Sequence, residues 1–190
     1  MLFRSSRSTT TVASGATLEI GGTSSPSIAE PIVVQGTSGS NGTVYFSNDG
    51  TLSGTIALAG DATVNVASLK TATVSATISD GTGSSGPLTK TGLGVLALSG
   101  TNDYTGATTI SAGRVAITNA SALGAASAGT TVGSAADSVA TLQISGGIAL
   151  GEPLTISGIG WRDFNDNVGA IRSLSGTNSV SGVEIGRAHV

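Results

Sequence analysis

The sequence predicts an all-β chain wound as a β-solenoid and cut at both ends. Three observations carry that prediction. The first is composition. Of 190 residues 29 are Gly, 10% are charged and 3% aromatic. The apolar 38% is mainly Val, Ile, Leu and Ala, interleaved with Thr and Ser, a mixture that favours strand over helix. That content is low for a globular enzyme core but well above a disordered chain. The second is punctuation: strand centres fall about every 10–13 residues between turn formers, a spacing that suits sandwiches and solenoids. The third is internal repetition, which separates those two. Thr17-Leu18-Glu19-Ile20-Gly21-Gly22 matches Thr141-Leu142-Gln143-Ile144-Ser145-Gly146, and Glu30-Pro31-Ile32 matches Glu152-Pro153-Leu154. Gly36 matches Gly158, Gly42-Thr43-Val44 matches Gly169-Ala170-Ile171, and Thr51-Leu52-Ser53-Gly54 pairs loosely with Ser179-Val180-Ser181-Gly182. The offset stays between 122 and 128 residues, and the order is kept. The chain therefore reads as about one and a half copies of a larger unit, which favours an open-ended stack.

In order, Thr10-Thr11-Val12 and Thr17 to Ile20 read as strands split by Ser14-Gly15. Ile32 to Gln35 is a strand with Pro31 at its start, where a missing N–H is tolerated. Thr43 to Ser47 is a strand, Asn48-Asp49-Gly50 a tight turn, and Thr55 to Ala59 the next strand. Thr63-Val64-Asn65-Val66 alternates strictly, and Ala72 to Ile78 reads as one strand with Val74, Ala76 and Ile78 on one side. Asp80 to Pro87 is a linker. Leu88 to Ile117 holds three short strands, around Val95–Leu98, Gly106–Ile110 and Arg114–Ile117, separated by Ser99 to Asp103 and Ala112-Gly113. Asn119 to Gly129 is Ala-rich, but its glycines argue for a loop. Thr130 to Val132, Ala140 to Ile144, Leu154 to Ser157 and Ala170 to Leu174 are the last strands, with Trp161 to Asn167 a polar insertion. Strands this short cannot bury a face alone and need stacked neighbours. Coils of ~20–25 residues rising ~4.8 Å each make about eight coils and a rod ~40 Å long. Its end coils leave open sheet edges, so end-to-end self-association is expected.

The two ends read as foreign. Leu2-Phe3-Arg4-Ser5 can be encoded CTC TTC CGA TCT, the reverse complement of AGATCGGAAGAG. Glu184 to Val190 can be encoded GAG ATC GGA AGA GCA CAC GTC, which contains that string. Residues 1–5 and 185–190 therefore read as translated sequencing-adapter DNA, leaving 6–184 as a single β-helix fragment. His189 then has no catalytic standing. Without Arg4 and Arg187, 6 basic residues face 11 acids, near −5 against the formal −3 of the whole chain. No apolar run approaches the ~20 residues of a membrane span. Met1 to Ser8 lacks the apolar stretch of a signal peptide, which carries no weight at a foreign terminus. Cys is absent, so no disulfide framework exists.

The stretch Leu88 to Ile117 resembles the passenger-associated strand repeat of autotransporters. The resemblance is carried by Leu88, Lys90, Gly92, Gly94, Leu96, Leu98, Gly100, Asn102, Tyr104, Gly106, Thr108, Ile110, Gly113 and Val115. Asp103 and Arg114 depart from the pattern, and both are expected to point outward. The resemblance implies a right-handed parallel β-helix exported by type V secretion. It implies passage through an outer-membrane translocator barrel, absent here, to the bacterial cell surface. Family passengers are often adhesins, with host surfaces, matrix or neighbouring cells as partners, and the repeat is usually a stalk.

Candidate chemistry is sparse. Asp163-Phe164-Asn165-Asp166-Asn167 has calcium-loop oxygens, but Gly169 comes late and Leu174 stands where a bidentate Glu belongs. The matching Thr37 to Asn41 has no acid, so a solvated loop is expected. Asp49, Asp61, Asp80, Asp103 and Asp137 fall at turns, where Asp caps its own backbone. A lyase or hydrolase would need two of them to meet. No Gly-x-Ser-x-Gly elbow is present. Gly92-Leu93-Gly94 is a fragment of a phosphate loop opening a strand. Six scattered basic residues give no nucleic-acid footprint. Trp161 and Tyr45 are either sugar-stacking contacts or loop caps, the latter preferred. Lys90 is either a surface charge or a contact between coils. No catalytic, cofactor-binding or metal-ligating residue is therefore expected, and neither a cofactor nor a small-molecule substrate. The expected function is a stalk or spacer in a passenger, part of an adhesin. A carbohydrate-active β-helix enzyme, marked by an acidic cleft, is the alternative. A phage tail fibre, marked by an outward apolar trimer interface, is the other.

Overall fold

The computed structural model describes residues 8–135, 138–163 and 166–185, all strand, turn and loop with no helix among them. Met1 to Ser5 and residues 186–190 of the ends read as foreign lie outside the described residues, as do Asp137, Phe164 and Asn165.

Short alternating strands with turn residues at both ends can bury their apolar side only against copies of themselves, and here they do so as a coil with three faces. The first face stacks Thr10–Val12, Ile32–Gln35, Ile56–Ala59 and Ile78–Asp80. The second stacks eight strands: Thr17–Ile20, Gly42–Phe46, Ala62–Val66, Leu88–Thr91, Thr108–Ile110, Thr130–Val132, Leu154–Ile156 and Val183–Ile185. The third stacks Ser27–Ile28, Gly50–Leu52, Thr71–Val74, Val95–Leu98, Gly113–Ile117, Ala140–Ser145 and Ile171–Ser175. Each strand pairs in parallel with its counterpart one coil away, as in Thr43↔Thr63 and Leu96↔Val115. This is the parallel β-solenoid the sequence predicts, and such parallel crossovers are right-handed in about 98% of cases.

Register turns alternation into columns. On the second face Val44, Val64, Lys90, Ile110, Val132 and Ile156 stack inward. On the third, Ala72, Leu96, Val115, Leu142 and Ile171 do the same. Outside, Thr17, Thr43, Thr63, Thr89, Thr109, Thr131 and Thr155 stand in one line along the second face.

Three expectations change. Ala72 to Ile78 is not one strand. Thr71–Val74 lies on the third face and Ile78–Asp80 on the first, so the chain turns a corner between them. The repeat stretch holds four strands, because Leu88–Thr91 precedes Val95–Leu98. The stretch expected as a solvated loop, Asp163 to Asn167, carries a short backbone pairing, a hairpin of Arg162–Asp163 against Asp166–Asn167, and Trp161 just before it docks on the third face.

The internally matched segments also sit in an informative place. Thr17–Ile20 is on the second face and its match at Thr141–Ile144 on the third. Ile32 is on the first face and Leu154 on the second; Thr43-Val44 is on the second and Ile171 on the third. Each match therefore advances the segment by whole coils plus one face.

Candidate functional site

The chemistry-bearing residues of the repeat stretch turn inward. Lys90 alternates with Thr89 and Thr91 and occupies an otherwise aliphatic column between Val64 and Ile110. It is 1% exposed. A bare ammonium there would be prohibitive, so the fold supplies acceptors. Nζ donates to the carbonyls of Thr91 (2.7 Å), Gly92 (2.8 Å) and Ala112 (3.3 Å). The side chain thus ties together the corner turns of two successive coils. Burial, with the nearby Arg114 charge adding to it, draws its pKa down to about 7. Gly92 and Gly113 lie at these corners with φ of +72° each. A Cβ on Gly113 would meet the Gly92 carbonyl oxygen at 2.4 Å, so the coils approach too closely there for any side chain. Lys90 is therefore a contact between coils and not a surface charge.

Asn102 works where a sheet ends. The four-stranded sheet of the first face ends at Ile78–Asp80, and among the described residues strands reappear between the third and second faces only at Ala149–Leu150 and Ser179–Val180, so the interrupted ladder leaves backbone groups without strand partners. The Asn102 amide replaces them. Oδ1 accepts from the Ile78 N–H (2.8 Å), and Nδ2 donates to the Ala122 carbonyl (2.5 Å). One side chain, 3% exposed, thereby spans three coils. Two residues on, Tyr104 is fully buried and fills the same corner. The Thr108 hydroxyl donates to the Leu123 carbonyl (3.0 Å), so Tyr104 Oη–H must be the donor in the 2.6 Å contact with Thr108 Oγ1. Burial pushes the Tyr104 pKa up; the Thr108 hydrogen bond opposes this and the Glu152 charge adds to it. Gly124 lies against the ring: an added Cβ would stand 2.8 Å from Cε2 and Cζ.

Two glutamates were invisible as functional positions, although their shared Glu-Pro context marked them as equivalent. Glu152 is 3% exposed and accepts the Thr130 hydroxyl from the preceding coil. Burial raises its pKa to about 7, against the Thr130 hydrogen bond that lowers it. Glu30 is also buried and meets Thr10 in the same way at 3.5 Å.

Among the described residues the turn acids Asp49 and Asp80 bond to separate turns. Asp49 Oδ1 accepts from the Thr71 N–H (2.7 Å). Asp80 accepts from both the N–H (3.0 Å) and the hydroxyl (2.7 Å) of Thr105. Contrary to expectation they cap the backbone of the next coil and not their own. Asp103 is exposed, as expected, and Asp61 is half-buried. Among the described residues no three of His, Cys, Asp and Glu gather as a metal cluster. Tyr45 sits half-buried on the outer side of the second face.

Outside the coil, the hairpin packs against the third face. The Trp161 N–H donates to Thr141 Oγ1 (2.7 Å), and that hydroxyl donates to the Gly169 carbonyl (2.8 Å). Thr141 is an outward residue with no exposure at all, and Gln143 beside it is nearly as covered. Arg114, outward as expected, lies with Cζ 5.1 Å from the Trp161 ring centroid, a cation–π distance.

Residues 88–117 match the family described as Passenger-associated-transport-repeat. That stretch is an autotransporter passenger repeat, and its Lys90, Asn102, Tyr104 and Thr108 are the interior clamps described above. No curated protein matches the chain, and no solved structure does.

Proposed function

We propose that this segment is a rigid spacer in the stalk of a surface-exposed bacterial autotransporter passenger, within an adhesin. The observation that carries this is where the repeat spends its polar side chains. Lys90, Asn102 and Thr108 each bond to backbone carbonyls or N–H groups of neighbouring coils, so they hold the rod and face no substrate. Its partners on this reading are its own translocator barrel and whatever the passenger's tip contacts; the reading assigns the spacer no substrate to turn over and no nucleic acid. The ends belong to the same proposal. Residues 1–5 and 185–190 are adapter-derived, and the open coil edges pair end to end.

The test is display. The chain is fused ahead of an autotransporter translocator barrel and exported in a Gram-negative host. Surface protease accessibility of a folded, protease-resistant rod supports the spacer reading, and retention in the periplasm overturns it. Sedimentation at rising concentration tests the edges: a purely monomeric boundary sinks end-to-end pairing. The nucleotide record tests the termini, since other codons there would refute the adapter origin.

A further inference from the structure

The coil's outer surface is covered at one place by the chain's own hairpin, and the contact there is unusual. Arg114 projects from Gly113–Ile117 onto the outer side of the third face. Its guanidinium stacks on Trp161, yet its Nε is buried and has no hydrogen-bond partner among the described residues. A buried charge-bearing donor left unpaired is costly, which leaves this guanidinium short of acceptors. The same side of the same face carries Arg172. Arg114 pairs with Thr141, and Arg172 with Gln143. The two arginines are therefore two strands and two residues apart, roughly 12 Å by strand spacing and rise. Arg172 and Arg162 are exposed, and Trp161 is half-exposed. The outward threonine line of the second face, from Thr17 to Thr155, carries no basic residue by contrast. The acids nearest in sequence, Asp163 and Asp166, are register partners in the hairpin's backbone pairing.

We propose that Arg114, Trp161 and Arg172 form a binding site for an acidic saccharide. The indole takes the apolar face of a pyranose ring, and the two guanidinium groups take ring carboxylates. A planar guanidinium pairs with a carboxylate through two parallel hydrogen bonds, and an aromatic face gives the sugar a platform a simple anion cannot use. This goes beyond the spacer reading and does not depend on it, because a stalk can carry a lateral site.

The test uses the full chain and its single tryptophan. Trp161 emission is followed while oligogalacturonate of defined length is added, with a neutral maltooligosaccharide of equal length and sodium sulfate alone in parallel. The expected result is a saturable change with oligogalacturonate only, weakened about tenfold or more in Arg172→Ala, the loss of one charge-assisted pair. Arg172→Ala should keep the parent melting temperature, so loss of fold is excluded as the cause. Four outcomes overturn the proposal: no response, an equal response to the neutral sugar, an equal response to sulfate alone, or unchanged affinity in Arg172→Ala.

Discussion

Replacing Asn102 with Ala removes one side chain and leaves two buried backbone groups without partners in separate coils. The Ile78 N–H loses its acceptor and the Ala122 carbonyl loses its donor. Ile78 is 2% exposed and Ala122 fully buried, so water does not replace either. Each orphaned group costs about 1–3 kcal/mol, and the pair about 4 kcal/mol as a central figure. At about 2–4 °C per kcal/mol for a chain of this size, the melting temperature should fall by about 8–16 °C. Circular dichroism at the β-sheet minimum reads it directly. Exposed Thr118→Ala, which removes no side-chain hydrogen bond, should move by less than about 0.5 kcal/mol. Because solenoid stability is carried by contacts between neighbouring coils, hydrogen exchange at the Ile78 amide should also quicken. Asn102→Asp keeps the acceptor for Ile78 and loses the donor to Ala122; it should lower stability with the Ile78 amide still protected. A fall below about 2 °C in Asn102→Ala, or an unchanged Ile78 amide, would refute the claim that this amide stands in for a missing strand.

Other perturbations follow the same logic. Glu152 binds its proton up to about pH 7 in the folded chain, against an ordinary value of 4.5. The folded state therefore holds a proton that the unfolded chain has lost between those values. This contribution, on the order of 1–2 kcal/mol once solvent screening is allowed for, is present below pH 4.5 and lost as pH rises to 7. Urea midpoints across that window should decline with pH in the parent and flatten in Glu152→Gln. Gly124→Ala forces a Cβ to 2.8 Å from the Tyr104 ring at a φ of +92°, and should cost about 2–4 kcal/mol in urea unfolding; a neutral result would mean that the ring has room to move. Tyr104→Phe removes only the hydroxyl donated to Thr108, whose own donor is already used on Leu123. It should cost about 1 kcal/mol, well short of a Tyr104→Ala cavity of about 3–5 kcal/mol.

Alternation made the aliphatic columns legible in advance. Val64 with Val66, and Leu96 with Leu98, read as inward and are inward. The polar clamps were not legible for the same reason. In Leu-Thr-Lys-Thr the alternation places Lys90 beside Leu88, but a charge there stays open between a surface residue and a contact between coils until the carbonyls of the next coil are seen. Those carbonyls belong to residues up to 22 positions away, so only coil register discloses them. The corner after Val74 was missed because Ser75 to Thr77 holds neither Gly nor Pro. Glu152 needed the same register, since its partner Thr130 lies one coil back. Trp161 showed its chemistry only once the hairpin was seen docked on Thr141.

The one-face advance of the matched segments bears on how such a rod changes length. Every face asks the same thing of its strands, apolar residues pointing in and small polar ones pointing out. A copied segment can therefore re-enter the winding a third of a turn out of phase and still bury its apolar side. Growth is not confined to whole turns. What the shift does alter is azimuth: the outward side chains of the copy emerge on a different flank. Duplication in such a chain thus lengthens the column and rotates its decoration in the same event.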